Sequence, residues 1–142
     1  MPLGVITSPV PIPYGTTVSL MARIRGLNGA LITQATLSGI TYLLWNQSDN
    51  TRVQPSSSTR ALTVSAVVFD SIQQNTAVWS VDGPDTLGID SRHGYVFRYD
   101  VPSTDTTSAE AGDNLQATIT FTFTDGSVLV QLFQWQVADA NG

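Results

Sequence analysis

The sequence predicts an all-β fold, an antiparallel β-sandwich. Residues 115–124 alternate without a break: Leu115, Ala117, Ile119, Phe121 and Phe123 on one parity, Gln116, Thr118, Thr120, Thr122 and Thr124 on the other. That is the period of a strand with one buried and one wetted face. Further short β-prone runs are separated by turn-forming clusters, and no long segment shows a 3.6-residue period. Strands of unequal length, with two long polar loops between them, favour a sandwich over a barrel. With 142 residues, the chain is expected to form one domain that buries roughly 70% of its unfolded surface. The expected divisions are an extended arm over 1–15, the sandwich over 16–138 and a short tail over 139–142.

The arm carries four prolines and two glycines among apolar residues. Proline lacks the amide hydrogen that a central strand needs, so the segment reads as extended, an arm or an edge. A disordered tail is expected to be polar. Val5, Ile6, Val10, Ile12 and Tyr14 instead need a surface to lie on, either the chain's own sheet or a neighbouring subunit. In 16–25, Val18, Leu20, Ala22 and Ile24 are expected to face the core, with Ser19, Met21, Arg23 and Arg25 outside. Asn28-Gly29 marks a turn, and a short apolar piece covers 30–32. In 39–46, Ile40, Tyr42 and Leu44 share one side and Thr41, Leu43 and Trp45 the other, a pattern compatible with cover on both faces.

Residues 46–59 read as a long polar loop. The stretch 61–68 reads as β, 71–75 as a short helical turn and 78–81 as a brief strand. Tyr95, Phe97, Tyr99 and Val101 predict an aromatic strand that Pro102 stops. Residues 103–114 read as a loop, with a turn of helix at 109–112. The final hairpin turns on Asp125-Gly126, a dipeptide suited to a two-residue type I′ turn. That turn pairs Thr124 with Ser127 and sets Phe123, Phe121 and Ile119 opposite Val128, Val130 and Leu132 on the core face. Beyond Leu132 the parity breaks, because Phe133, Trp135 and Val137 fall on the threonine face. Either a β-bulge near 133 returns them to the core, or Phe133 and Trp135 form an exposed contact patch.

Composition narrows the chemistry. Eleven acids oppose six arginines, there is no lysine, and the net charge is −5. Nucleic-acid binding rests on cations that neutralise phosphates, so neither nucleic acid nor an anionic membrane is an expected partner. The lack of lysine fits a surface contacted by neighbouring protein as well as a coding bias. No cysteine is present, so there is no disulfide or thiolate metal site. No apolar run approaches a membrane span, and no signal peptide is evident at the N-terminus.

The catalytic inventory is one histidine, His93, and one glutamate, Glu110. His93 sits in a turn region without a nucleophile motif beside it. Asp82, Asp85 and Asp90 have no EF-hand spacing and read as a turn cluster. No cofactor, metal or catalytic residue is expected. Trp45, Trp79 and Trp135, if exposed together, would suit sugar stacking; otherwise they are core.

A larger pattern joins Val67-Val68-Phe69-Asp70-Ser71-Ile72, Trp79, Asp82, Gly94-Tyr95-Val96-Phe97-Arg98, Asp100-Val101-Pro102 and Phe121-Thr122-Phe123-Thr124-Asp125-Gly126. It resembles a group of small immunoglobulin-like proteins encoded among the structural genes of tailed phages and prophages. The opening strand, Asn28-Gly29 and the Thr-Asp-Gly hairpin are also similar to the N-terminal domain of phage baseplate upper proteins. The likeness spans 17–135, with Val96 where the group favours Asn and with 83–89 as an insertion.

The resemblance implies an immunoglobulin-like β-sandwich and a virion protein that is not an enzyme. The implied role is a capsid decoration or cement protein; a tail or baseplate adaptor is the alternative, and a carbohydrate-binding sandwich the alternative of another class. Implied partners are the major capsid protein, other virion proteins and further copies of the chain. Val5, Ile6, Val10, Ile12, Tyr14, Arg23, Arg25, Phe133 and Trp135 are the expected contact residues.

Overall fold

A computed structural model describes residues 4–8, 11–13, 16–26, 29–54, 59–74, 79, 94–106 and 109–138. The strands are β1 (Gly4–Thr7), β2 (Ile12–Pro13), β3 (Val18–Ala22), β4 (Leu37–Asn46), β5 (Thr51–Gln54), β6 (Arg60–Leu62), β7 (Val68–Gln74), β8 (Gly94–Val101), β9 (Asn114–Phe123) and β10 (Val128–Ala138). One helical turn, α1 (Val64–Val67), links β6 to β7.

Two sheets pack face to face. The large sheet runs β1-β10-β9-β4-β5, with β2 also on β10 and β6 also on β4; the small sheet runs β3-β8-β7. Their inner faces share one core. Val18, Leu20, Ala22, Val68, Phe97 and Val101 come from the small sheet, and Ile40, Tyr42, Leu44, Leu115, Ala117, Ile119, Phe121, Phe133, Trp135 and Val137 from the large one. Phe97 bridges the sheets, 5.4 Å edge-on from Phe121 and stacked 5.9 Å from Phe133. Trp79 closes one side. Its amide donates to the Met21 carbonyl, and its ring lies edge-on to Phe133 and Trp135 at 5.8 Å each.

The terminal hairpin differs from the expected register by one residue. Val128 pairs with Thr122, Leu132 with Thr118, Phe133 with Ala117 and Trp135 with Leu115, without a shift between. The turn is the cause. Gly126 N–H donates to the Phe123 carbonyl and Phe123 N–H to the Ser127 carbonyl. Gly126 takes φ +91° while Asp125 stays at negative φ. This is a three-residue loop with glycine in the left-handed position, not a type I′ turn. The Asp125 carboxylate accepts from both the amide and the hydroxyl of Ser127, at 2.8 and 2.6 Å, and these bonds hold its pKa below the usual range. Since strand side chains alternate, a one-residue slip exchanges the two faces of β10. Phe133 and Trp135 therefore reach the core without a bulge at 133, and Val128, Val130 and Leu132 move outside.

Other segments also depart from expectation. The polar stretch 46–59 contains β5, entered by a turn in which Asn46 Oδ1 accepts from the amides of Ser48 and Asp49. Residues 64–67 are helical, and 71–74 belong to β7 rather than to a helical turn. At 110–113 a single turn forms instead of a helix, with Gly112 at φ +91° and Asp113 N–H donating to the Glu110 carbonyl. The 78–81 strand lies outside the described residues except for Trp79.

Candidate interaction surface

The arm lies on the chain's own sheet. β1 runs parallel to β10, pairing Val5 with Leu132 and Ile6 with Phe133, and β2 continues the pairing with Ile12 against Val137. Ile6 and Ile12 are half-buried and pack on the main core, so of the arm's apolar residues these two face inward rather than toward a neighbour. Val5 points the other way and is 51% exposed. Val10 and Tyr14 lie outside the described residues.

The two arginines do not project together. Arg23 is buried, with its Nε donating to the Gly94 carbonyl at 3.3 Å. β3 ends at Ala22, and the chain then turns back so that Arg25 bridges Leu31. Arg25 is exposed and donates through Nη1 to the Gly29 carbonyl of that turn. Phe133 and Trp135 are 0% and 3% exposed and form no surface patch.

His93, Asp82, Asp85 and Asp90 lie outside the described residues. Among the described residues no group of three or more metal-ligating side chains converges. Glu110 is exposed at its turn.

A buried polar knot sits where β4, β6 and β8 meet the turn after β8. Asp105 accepts two bonds from the Arg60 guanidinium, at 2.8 and 3.1 Å, and one from the Tyr42 hydroxyl at 3.2 Å. Arg60 also donates to the Tyr99 hydroxyl at 2.9 Å and lies over the Tyr42 ring, 5.2 Å from its centre. Burial, then the neighbouring Asp105 charge, pushes the Tyr42 pKa far up, and the bond to Asp105 raises that of Arg60. Tyr42 is therefore a fixed neutral donor. The knot ties the two sheets together through hydrogen bonds among its own members. An open groove of about 630 Å3 runs alongside, lined in part by Phe69, Tyr95, Arg98 and Tyr99.

The outward face of the large sheet is different. β1, β4, β9 and β10 contain no Asp, Glu, Arg, Lys or His. Their outward residues form rows: Val128, Val130 and Leu132 on β10, Thr118, Thr120 and Thr122 on β9, and Thr41, Leu43 and Trp45 on β4. Val5 and Val128, each 51% exposed, stand on this face. At one end Gln47 and Gln134 both donate to Gln116 Oε1, at 3.1 and 2.8 Å. They lie beside half-buried Trp45, which with Gln47 and Gln116 borders a shallow depression of about 330 Å3.

The β10 row escaped sequence reading because the wrong turn type assigned it to the core. The signal was present in Phe133, Trp135 and Val137, whose size and parity require the core face. Compared with known proteins, the chain matches no family model, no curated protein and no solved structure.

Proposed function

We propose that this chain is an immunoglobulin-like structural protein of a tailed-phage particle, a capsid decoration protein acting through protein–protein contact and not through catalysis. The strand order supports the immunoglobulin-like reading: β10, β9 and β4 form one sheet, β3, β8 and β7 face it, and β9 and β10 are joined as a hairpin. A two-sheet antiparallel sandwich of this kind serves many unrelated functions, so the weight rests on the surface. The observation that carries the reading is the outward face of β1, β10, β9 and β4, which bears no charged side chain and meets a charge only at its edge, at exposed Arg52 of β5 beside Trp45. An outward face of an antiparallel sheet is ordinarily polar, and depletion of charge with exposed aliphatic side chains is what protein interfaces show.

Mass spectrometry of particles purified from the source organism tests the reading. The chain is expected in many copies per particle, and removing it should lower the temperature at which heads release DNA. Its absence from particles overturns the reading; recovery with tails alone moves it to a tail or baseplate adaptor.

A carbohydrate-binding function is the second reading. It is favoured by half-buried Trp45 beside the amides of Gln47 and Gln116, since a ring with neighbouring amides suits a sugar. Glycan binding that disappears in Trp45→Ala selects it.

A further inference from the structure

We infer that the outward face of the large sheet docks a second copy of this chain, making a two-fold, face-to-face dimer. The inference rests on the reading of the chain as a protein that works by protein contact, and it names the first partner.

Charge argues for a like partner. Two copies each carrying a net charge of −5 repel one another. The four strands β1, β4, β9 and β10 are the broad surface on which no acid faces an acid. A strongly charged partner would find only Arg52 of β5, at the edge of this surface beside Trp45, whereas an identical uncharged face is matched to it and leaves Arg52 at the rim, where interfaces are polar.

The pattern of rows is self-complementary. Apolar residues on β10 (Val128, Val130, Leu132) and on β4 (Leu43, Trp45) flank the threonines of β9. A two-fold axis along β9 lays threonine on threonine and the β10 row of each copy over the β4 row of the other. That is the reciprocal contact an isologous interface requires.

The area is adequate. Strands β4, β9 and β10, about 4.8 Å apart with about nine paired residues at about 3.3 Å each, together with the short β1, give a flat footprint of roughly 500 Å2 per copy. Side-chain relief adds to it, and a standard stable interface buries about 800 Å2 per partner. Val5 and Val128 lie at the margin of this footprint, and pairing would cover both.

Light scattering across a concentration series tests the inference on the full chain. Wild type should be a dimer at micromolar concentration. Leu132→Asp and Val130→Asp should be monomers with unchanged far-ultraviolet circular dichroism. If either unfolds, Val128→Asp, at a half-exposed position, is expected to give the same monomer. Ser71→Asp, on the small sheet, should remain dimeric.

Because the chain has no cysteine, an equimolar mixture of Leu43→Cys and Leu132→Cys, both level with Thr118 of β9, should be joined by a thiol crosslinker spanning about 10 Å, the spacing of packed sheets. A wild-type monomer at every concentration overturns the inference, as does a dimer that survives the aspartate variants. Glycan-induced quenching of tryptophan fluorescence in a monomer overturns it too and points to a sugar as the occupant. A monomer that is nonetheless recovered in purified particles removes self-docking alone and leaves the virion reading standing.

Discussion

The sandwich has two outward faces, and they are finished in different ways. On the small sheet, Met21 and Tyr95 are buried with Phe69 packed on them. The rim carries Arg98 paired with Asp100 at 3.0 Å, and Ser19 donates to the same carboxylate at 2.8 Å. Burial raises the Asp100 pKa, but the bonds from Arg98 and Ser19 outweigh it and the net shift is downward. Apolar groups there are covered and charges meet water. On the large sheet, aliphatic groups of β1 and β10 stand half-covered, and the four strands β1, β10, β9 and β4 carry no charge, the nearest being Arg52 on the edge strand β5. The contrast separates a surface complete within one chain from one that another molecule can complete.

Substitutions can break or sharpen this contrast. The largest effect is expected at Phe133, which the three-residue turn and unshifted register place on the inner face. Phe133→Ala should destabilise the fold by about 3–5 kcal/mol in chemical denaturation. A cost below about 1 kcal/mol would return Phe133 to the surface and exchange the two faces of β10.

Asp105→Ala comes next. It leaves the Arg60 guanidinium and the Tyr42 hydroxyl without their shared acceptor. A loss of about 2 kcal/mol is expected, moderated because water reaches Arg60, one third of whose side chain is exposed.

The same knot predicts an alkaline limit. The folded-state pKa of Tyr42 is raised, so its contribution is complete below the unfolded tyrosine value of about 10 and declines above it. Each pH unit beyond that point removes up to about 1.4 kcal/mol. Stability curves of wild type and Tyr42→Phe should converge above pH ~10. Parallel curves would show that Tyr42 ionises freely.

Gly126→Ala, at φ +91° with open space around the position, should cost about 1 kcal/mol through backbone strain. The smallest effect belongs to the outward face: Val128→Asp should change the stability of the monomer by no more than about 0.5 kcal/mol. A large loss there would mean that Val128 is core.

Much of the sandwich was legible in the sequence. Alternation in β3, β8 and β9 correctly placed Val18, Leu20, Phe97, Ile119 and Phe121 inside, whereas in β4 it separated the two rows without telling the buried one, Ile40, Tyr42 and Leu44, from the half-exposed Thr41, Leu43 and Trp45. The misreadings share a physical origin: local chemistry overruled by context. Asp125-Gly126 suits two turn types, and the bonds from Ser127 to the Asp125 carboxylate accompany the less expected one. β5 is short and polar, and it forms because β4 offers an edge and Asn46 supplies the turn. Val64–Val67 is β-prone by composition yet coils into one turn that carries the chain between sheets.

The candidate interaction surface was the least legible part. Arg23 looked outward by parity, but β3 ends before it, and an uncharged outward face has the same local alternation as a wetted one. What distinguishes it is an absence of charge spread over four strands that are distant in sequence. That absence can be recognised only after the sheet order is known.

Carbene footprinting read by mass spectrometry tests the central claim most directly, comparing the chain diluted to monomer with its assembled form. Assembly should suppress labelling at Leu43, Trp45, Val128, Val130 and Leu132, while Ser19 and Arg98 keep theirs. Unchanged labelling across the large sheet, with protection on the small sheet instead, would contradict the account.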